Sequence, residues 1–379
     1  MTPAAAPLAG TEDQPHARMS LATALSTGPS HAYLFHGPAG VGKRTAARAF
    51  AAELLAEGDP DPQDARRRTL AGTHPDLTWV RPTGAHVMRT EDVDEPVIAA
   101  ASRTPFESSR RVFVLERVDT MNDEVANRLL KTLEEPASFV HLLLLTDALD
   151  QVITTVVSRC QPVRFERLPA RRIQAELEGE GVPPERAAAC SKLALGNATR
   201  ARYLASEEGQ ALRADAARIV SAALAGGGRD GREPESWRGL LDRADERKAA
   251  AEAAVEEDRR ARLLSEPKGR DRAALEKSFD DSVRRDGRRA RTEILDLGLT
   301  LAALGFRDLV CLAEGAEEAA LDPDRAGTQA RAAPSRDPRR LLAAAERCED
   351  TRLSLQLNVT EDLALEALGI RLAKLVGAE

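Results

Sequence analysis

Hydrophobic and polar positions change rhythm once along this chain, near residue 168. Before that point, short apolar runs alternate with stretches of helical period. Ala32-Tyr33-Leu34-Phe35, Leu77-Thr78-Trp79-Val80, Val112-Phe113-Val114-Leu115-Glu116, the run from Val140 to Leu145 ending at Thr146, and Val163-Arg164-Phe165 read as strands. Several are apolar on consecutive residues, the pattern of a strand covered on both faces. Between them the period predicts helices over residues 15–29, closed by Gly28-Pro29, over 43–57, over 65–70, and over about 90–102, where Pro96 is tolerated only early in the helix. Another helix is predicted from Thr120, with Asp123 as its capping partner, to the stop at Pro136. Strands alternating with helices predict an α/β domain with a mostly parallel sheet.

After Leu168 no strand pattern survives. Helices are predicted over 169–178 and 183–195, the second closed by Gly196-Asn197, with a third from Thr199. The remainder is rich in Ala, Arg and Glu and reads as all-helical, with loops at Gly226-Gly227-Gly228 and around Pro323 to Pro338. The longest apolar face runs through Ile294, Leu295, Leu297, Leu299, Leu301, Leu304, Phe306, Leu309 and Val310, and another lies in Thr351 to Val376. Residues 242–277 are so polar that they read as a solvated helix or a partly disordered segment. The organisation expected is a flexible tail at 1–14, an α/β core at 15–166, a small helical domain at 167–206 and a larger all-α domain at 207–379.

Composition narrows the function classes. The 379 residues suffice for two or three domains, and 42% hydrophobic with 30% charged residues describes a soluble globular protein. No run approaches the roughly 18 uninterrupted apolar residues of a membrane span. The N-terminal stretch lacks the basic start and apolar core of a secretion signal, so a cytoplasmic location is expected. A net charge of −7 argues against nonspecific coating of nucleic acid, and 3% aromatic residues are too few for a base-stacking platform. The four cysteines, Cys160, Cys190, Cys311 and Cys348, have no short spacing, and the six histidines have no metal spacing. Cys160 reads as a small buried packing residue.

Chemistry enters at Gly37-Pro38-Ala39-Gly40-Val41-Gly42-Lys43. A strand, a glycine-rich turn spanning Gly37, Gly40 and Gly42, a lysine and a helix make the layout of a phosphate-binding loop, in which backbone N–H groups and Lys43 face an anion. One position departs. The motif calls for a hydroxyl directly after the lysine to help hold Mg²⁺. Here that residue is Arg44, and the hydroxyl comes one residue late at Thr45.

Two later stretches carry a resemblance. Asn127-Arg128-Leu129-Leu130-Lys131-Thr132-Leu133-Glu134-Glu135-Pro136 resembles the N-A-L-L-K-T-L-E-E-P helix of clamp-loader AAA+ ATPases, and Ser158-Arg159-Cys160 resembles their S-R-C motif. The likeness covers about residues 15–205 and implies an AAA+ P-loop core with a parallel sheet, a helical lid at 167–206 and an all-α collar at 207–379. In that family Arg159 corresponds to an arginine finger that reaches a neighbouring subunit's γ-phosphate. Thr146 corresponds to a first sensor and Arg200 to a second, although Arg200 reads equally well as a helix-surface charge. Lys131 and Arg128 read as exposed helix charges, with contact to DNA phosphates in an assembled ring as the less common alternative.

The family's acidic pair that holds Mg²⁺ and orients the attacking water stands here as Glu116-Arg117. A cation cannot accept a proton as that second carboxylate would. With Arg44, this points to a stator-type member without independent hydrolysis, its loop binding ATP or ADP weakly or not at all. Its small zinc module is also absent, because no cysteine precedes Cys160. The resemblance implies work beside gamma/tau and delta partners in a hetero-pentamer that loads a sliding clamp onto primer-template DNA, with no membrane role. The alternative is a catalytically active, gamma/tau-like motor; a small-molecule P-loop kinase fits poorly with the S-R-C motif.

Overall fold

A computed structural model of the chain describes residues 8–82, 87–226, 236–265, 270–332, 336–355 and 359–377, with residues 258, 261–265, 270–275, 277, 278, 281 and 324 described by backbone alone. It divides into two compact units that meet at Leu168 and Pro169.

The first unit is built on five parallel strands: β1 (Ala32–His36), β2 (Leu77–Val80), β3 (Arg111–Glu116), β4 (Val140–Thr146) and β5 (Gln161–Arg164). Their order is β2-β3-β4-β1-β5. The period of two along each strand sorts its side chains onto two faces. Ala32, Leu34, Phe113, Leu115, Leu142 and Leu144 face one core; Tyr33, Phe35, Val112, Val114, Leu143 and Leu145 face the other. That is why the strands read as unbroken apolar runs: each face is covered by helices. The second face carries α1 (Pro15–Thr27) and α2 (Lys43–Ala56), through Ala17, Leu21, Phe50 and Leu54. The helix α3 (Pro62–Ala71) follows α2. The first face carries the helical segment α4 (Thr90–Val93), then α5 (Asp123–Glu134) and α6 (Thr154–Val157), through Val93, Leu129, Leu133 and Val156.

Several expectations are corrected. Residues 8–14 are no flexible tail: Leu8, Thr11 and Gln14 are buried, and the Gln14 side-chain amide donates to the Val41 and Glu166 carbonyls while accepting from Glu166 N–H. An amide that satisfies backbone groups on two other segments ties this stretch down. Residues 1–7 lie outside the described residues. Thr120 does not open α5. It sits in a 3₁₀ turn donating to Arg117 O, and the cap is Asn122, whose side chain accepts from Val125 N–H. Pro96 lies within the helical stretch rather than at its start, and the six residues Asp94–Ala99 adopt a π-helical turn around it. The last strand ends at Arg164 instead of Phe165.

The second unit contains helices alone among the described residues: α7 (Ala170–Gly179), α8 (Pro184–Leu193), α9 (Ala198–Ala205), α10 (Glu207–Ala225), α11 (Arg238–Ser265), α12 (Arg270–Ala313), α13 (Pro323–Ala332), α14 (Pro338–Ser354) and α15 (Glu361–Val376), with one 3₁₀ turn. Gly226 ends α10 in a left-handed conformation, and Gly227 and Gly228 lie outside the described residues. Pro323 and Pro338, read as loop marks, stand instead at the first turn of helices, where a missing N–H costs nothing. The polar stretch 242–277 is helical wherever it is described; 266–269 lie outside. It forms the antiparallel pair α11 and α12, with Leu240 against Gly298 and Glu252 against Gly287, where an added Cβ would fall 2.3 and 2.5 Å from those side chains. Small residues on the seam let the helices approach, and Arg259–Asp280 at 2.8 Å and Arg291–Asp245 pair across it. The apolar face of α12 is buried through Ile294, Leu295, Leu299, Leu301, Phe306 and Leu309.

Candidate functional site

The carboxyl ends of β1, β3 and β4 lie side by side, with His36 opposite Thr146 and Glu116 opposite Leu145. This edge is where ligands gather in open parallel sheets. The loop after β1 turns on glycines: Gly37, Gly40 and Gly42 have φ of +143°, +72° and +98°. Gly37 is also required sterically, because an added Cβ would stand 2.2 Å from the Phe165 carbonyl oxygen. Gly42 caps α2, so Lys43 and Arg44 open that helix.

Lys43 is 6% exposed, and its ammonium is fully engaged by the protein itself. It donates to the Gly37 and Pro38 carbonyls at 2.5 Å each and pairs with Asp147 Oδ1 at 2.7 Å. Three N–H groups meet three acceptors. Burial pushes the amine below the usual lysine value, and Asp147 and Asp119 oppose that shift.

Arg44 and Glu116, two separate departures in the sequence, are partners. The Arg44 guanidinium donates to Glu116 Oε2, and Glu116 Oε1 accepts from Trp79 Nε1 at 2.6 Å and Arg81 Nε at 3.2 Å. The carboxylate is buried, while Arg44 and Arg81 are more than half exposed. A guanidinium thus sits on the carboxylate that would face a metal. The loop's backbone fits a phosphate, but this donor set does not fit Mg²⁺, since the carboxylate already carries three N–H donors. Arg117 follows in a left-handed conformation, φ +55°, unusual for a side chain with a Cβ. Thr146 is buried, donates to Asp119 Oδ1 at 2.8 Å and accepts from Ala148 N–H at 3.0 Å. Thr45 is exposed and lies against the turn at Gly10, whose added Cβ would stand 2.7 Å from the threonine methyl.

Arg159 lies after α6. Its Nε donates to Glu134 Oε1 at 2.8 Å, a second nitrogen donates to the same oxygen, and Nη1 donates to the Thr155 carbonyl at 2.9 Å. Cys160 beside it is buried, its thiol pushed up to about 12 by burial. Arg200 belongs to the second unit, where its N–H donates to Asn197, the cap of α9. Trp79, Arg81, Asp119, Glu134 and Asp147 were not singled out in the sequence. Asp147 follows Thr146 directly and was findable by adjacency, whereas Trp79 and Arg81 reach Glu116 only because β2 lies beside β3.

A parallel sheet with a glycine-rich phosphate loop after β1, an acid ending β3 and an S-R-C turn before β5 has the layout of an AAA+ P-loop domain. Residues 13–169 match the family model described as DNA polymerase III, delta subunit. The DNA polymerase III subunit delta' of Bacillus subtilis is 34% identical over 162 residues, 42% of this chain and 49% of its own length. That of Pseudomonas aeruginosa is 34% identical over 199 residues, 50% of this chain and 60% of its own. The subunit tau of Bacillus subtilis is 31% identical over 150 residues, 38% of this chain and 26% of its own. Over residues 13–169 the chain is similar to delta' subunits of DNA polymerase III. It spans about half the length of the delta' relatives it matches. A gamma-subunit-related protein of Thermotoga maritima superimposes with a TM-score of 0.46 at 14% identity, over 95% of this chain and 99% of its own.

Proposed function

We propose that the chain is a non-hydrolysing subunit of a bacterial clamp loader that supplies Arg159 in trans to a neighbouring ATPase subunit. With gamma/tau and delta partners in a hetero-pentamer, it would load the sliding clamp onto primer-template DNA in the cytoplasm. Residues 167–206 would serve as the lid and 207–379 as the collar of that ring. The observation that carries the reading is the Arg44 guanidinium on Glu116, a cation held where a catalytic metal would sit. Arg117 in place of a water-orienting carboxylate supports it, as does Lys43 bound to Asp147. ATP or ADP would have to displace Asp147 from Lys43 to reach the loop, which favours weak binding or none. No zinc role is proposed.

Two measurements test the reading. The isolated chain with Mg·ATP should show no turnover; turnover abolished by Lys43→Ala would refute it and favour the gamma/tau-like motor, a reading to which the likeness to subunit tau lends some support. In a complex reconstituted with its partners, Arg159→Ala should assemble normally and lower ATP hydrolysis at the adjacent site by about 10³-fold or more.

A further inference from the structure

We infer that Glu134 is a counter-ion latch on Arg159: it holds the guanidinium within this subunit until a neighbour's phosphate displaces it. The inference rests on the trans-finger reading of Arg159 and adds a positioning residue to it. The guanidinium edge formed by Nε and the adjacent terminal nitrogen is the fork that takes paired anionic oxygens. Here both of those nitrogens donate to Glu134 Oε1, and the opposite nitrogen Nη1 is anchored on Thr155 O and lies 3.4 Å from Ser158 Oγ. A phosphate approaching by the fork therefore competes with Glu134 for the same two donors.

The position of Glu134 is informative in itself. It is the last residue of α5, at the carbonyl end of the helix, where local electrostatics disfavour a carboxylate. The Arg159 cation supplies the compensation. The backbones that carry the pair are firm, since Leu129 and Leu133 of α5 share a core with Val156 and Cys160. The side chains themselves are partly open to water, 34% exposed for Arg159 and 48% for Glu134. An ion pair at such exposure is weak enough to exchange partners yet sufficient to set where the guanidinium waits. A γ-phosphate, with more negative charge than one carboxylate, is the stronger competitor for it.

The test uses the full chain reconstituted with its ATP-hydrolysing partners. Glu134→Gln keeps the side chain's shape and removes its charge. It should raise the kcat for ATP about two- to five-fold at low salt, the range expected for releasing an exposed pair. The gain should shrink as salt rises and screens the pair. Glu134→Ala should act in the same direction, and neither change should alter turnover in an Arg159→Ala background. Turnover that is unchanged or lower in Glu134→Gln, while Arg159→Ala still cripples hydrolysis, overturns the latch alone. A gain that persists without Arg159 also overturns it, because the effect would then run by another route. If Arg159→Ala leaves hydrolysis intact, the finger reading fails and the latch with it.

Discussion

Cutting the bond between Arg44 and Glu116 tests the idea that a guanidinium has taken the metal's place. The two partners differ in burial: the Glu116 side chain is 3% exposed and that of Arg44 is 52% exposed. A fully exposed pair contributes about 0.2–1 kcal/mol, whereas breaking a buried one costs about 3–5 kcal/mol. Arg44→Ala leaves Glu116 with two of its donors, Trp79 and Arg81, so the carboxylate is not orphaned. A coupling energy of about 1.5–3 kcal/mol between the two positions follows, the range for a hydrogen bond to a charged group. It is measured from Arg44→Ala, Glu116→Ala and the double variant by urea unfolding. The chain has two tryptophans, so a Trp237→Phe background leaves Trp79 reporting on the first unit alone. With a slope of about 2 kcal/mol per molar urea, each kcal/mol moves the midpoint by about 0.5 M. Midpoints rather than amplitudes are compared, because Trp79 itself donates to Glu116 and its emission will change. A coupling below about 0.5 kcal/mol would mean that the guanidinium only rests near the carboxylate, and the reasoning would fail.

Two further outcomes are expected. Burial holds His141 below the usual histidine value, its Nδ1 donating to Ser30 O at 2.9 Å. The unfolded chain then takes up the proton first, so stability should fall as pH drops from about 6.5 towards the folded value, by about 1.4 kcal/mol per unit of depression. Urea midpoints at pH 7.5 and 5.5 should separate less in His141→Gln than in the native chain, and equal separations would remove His141 from the account. Burial also pushes the Cys160 and Cys348 thiols up to about 12, while Cys311 is only partly buried. At pH 8 iodoacetamide should modify Cys311 in the folded chain and reach Cys160 and Cys348 only on unfolding, since the thiolate is the reacting form. Rapid native labelling of Cys160 would contradict its placement in the core.

Where the sequence misled, a local signal had competing meanings. Pro323 and Pro338 break helices in one position and begin them in another, and periodicity alone does not say which. Thr120 and Asn122 are both capping residues, and the turn that bonds Thr120 to Arg117 leaves the cap to Asn122. Residues 8–14 look polar and irregular because their anchors, Leu8 and the Gln14 amide, find partners on segments distant in sequence.

The strands, their double burial, the glycine turn and the loss of the motif hydroxyl at Arg44 were all legible from residue order, because each is written within a few neighbouring positions. The stretches Asn127 to Pro136 and Ser158-Arg159-Cys160 also carried the resemblance to clamp-loader AAA+ ATPases. Only the tertiary structure decided that Arg44 and Glu116 are partners, that Lys43 is bound to Asp147, and that Arg159 donates to Glu134. Those pairs join chain segments brought together by strand order and helix packing, and no period or spacing encodes such a meeting. Arg44 after the loop lysine and Glu116 at the end of β3 look like two defects in the sequence. In the folded chain they form one internally neutralised site.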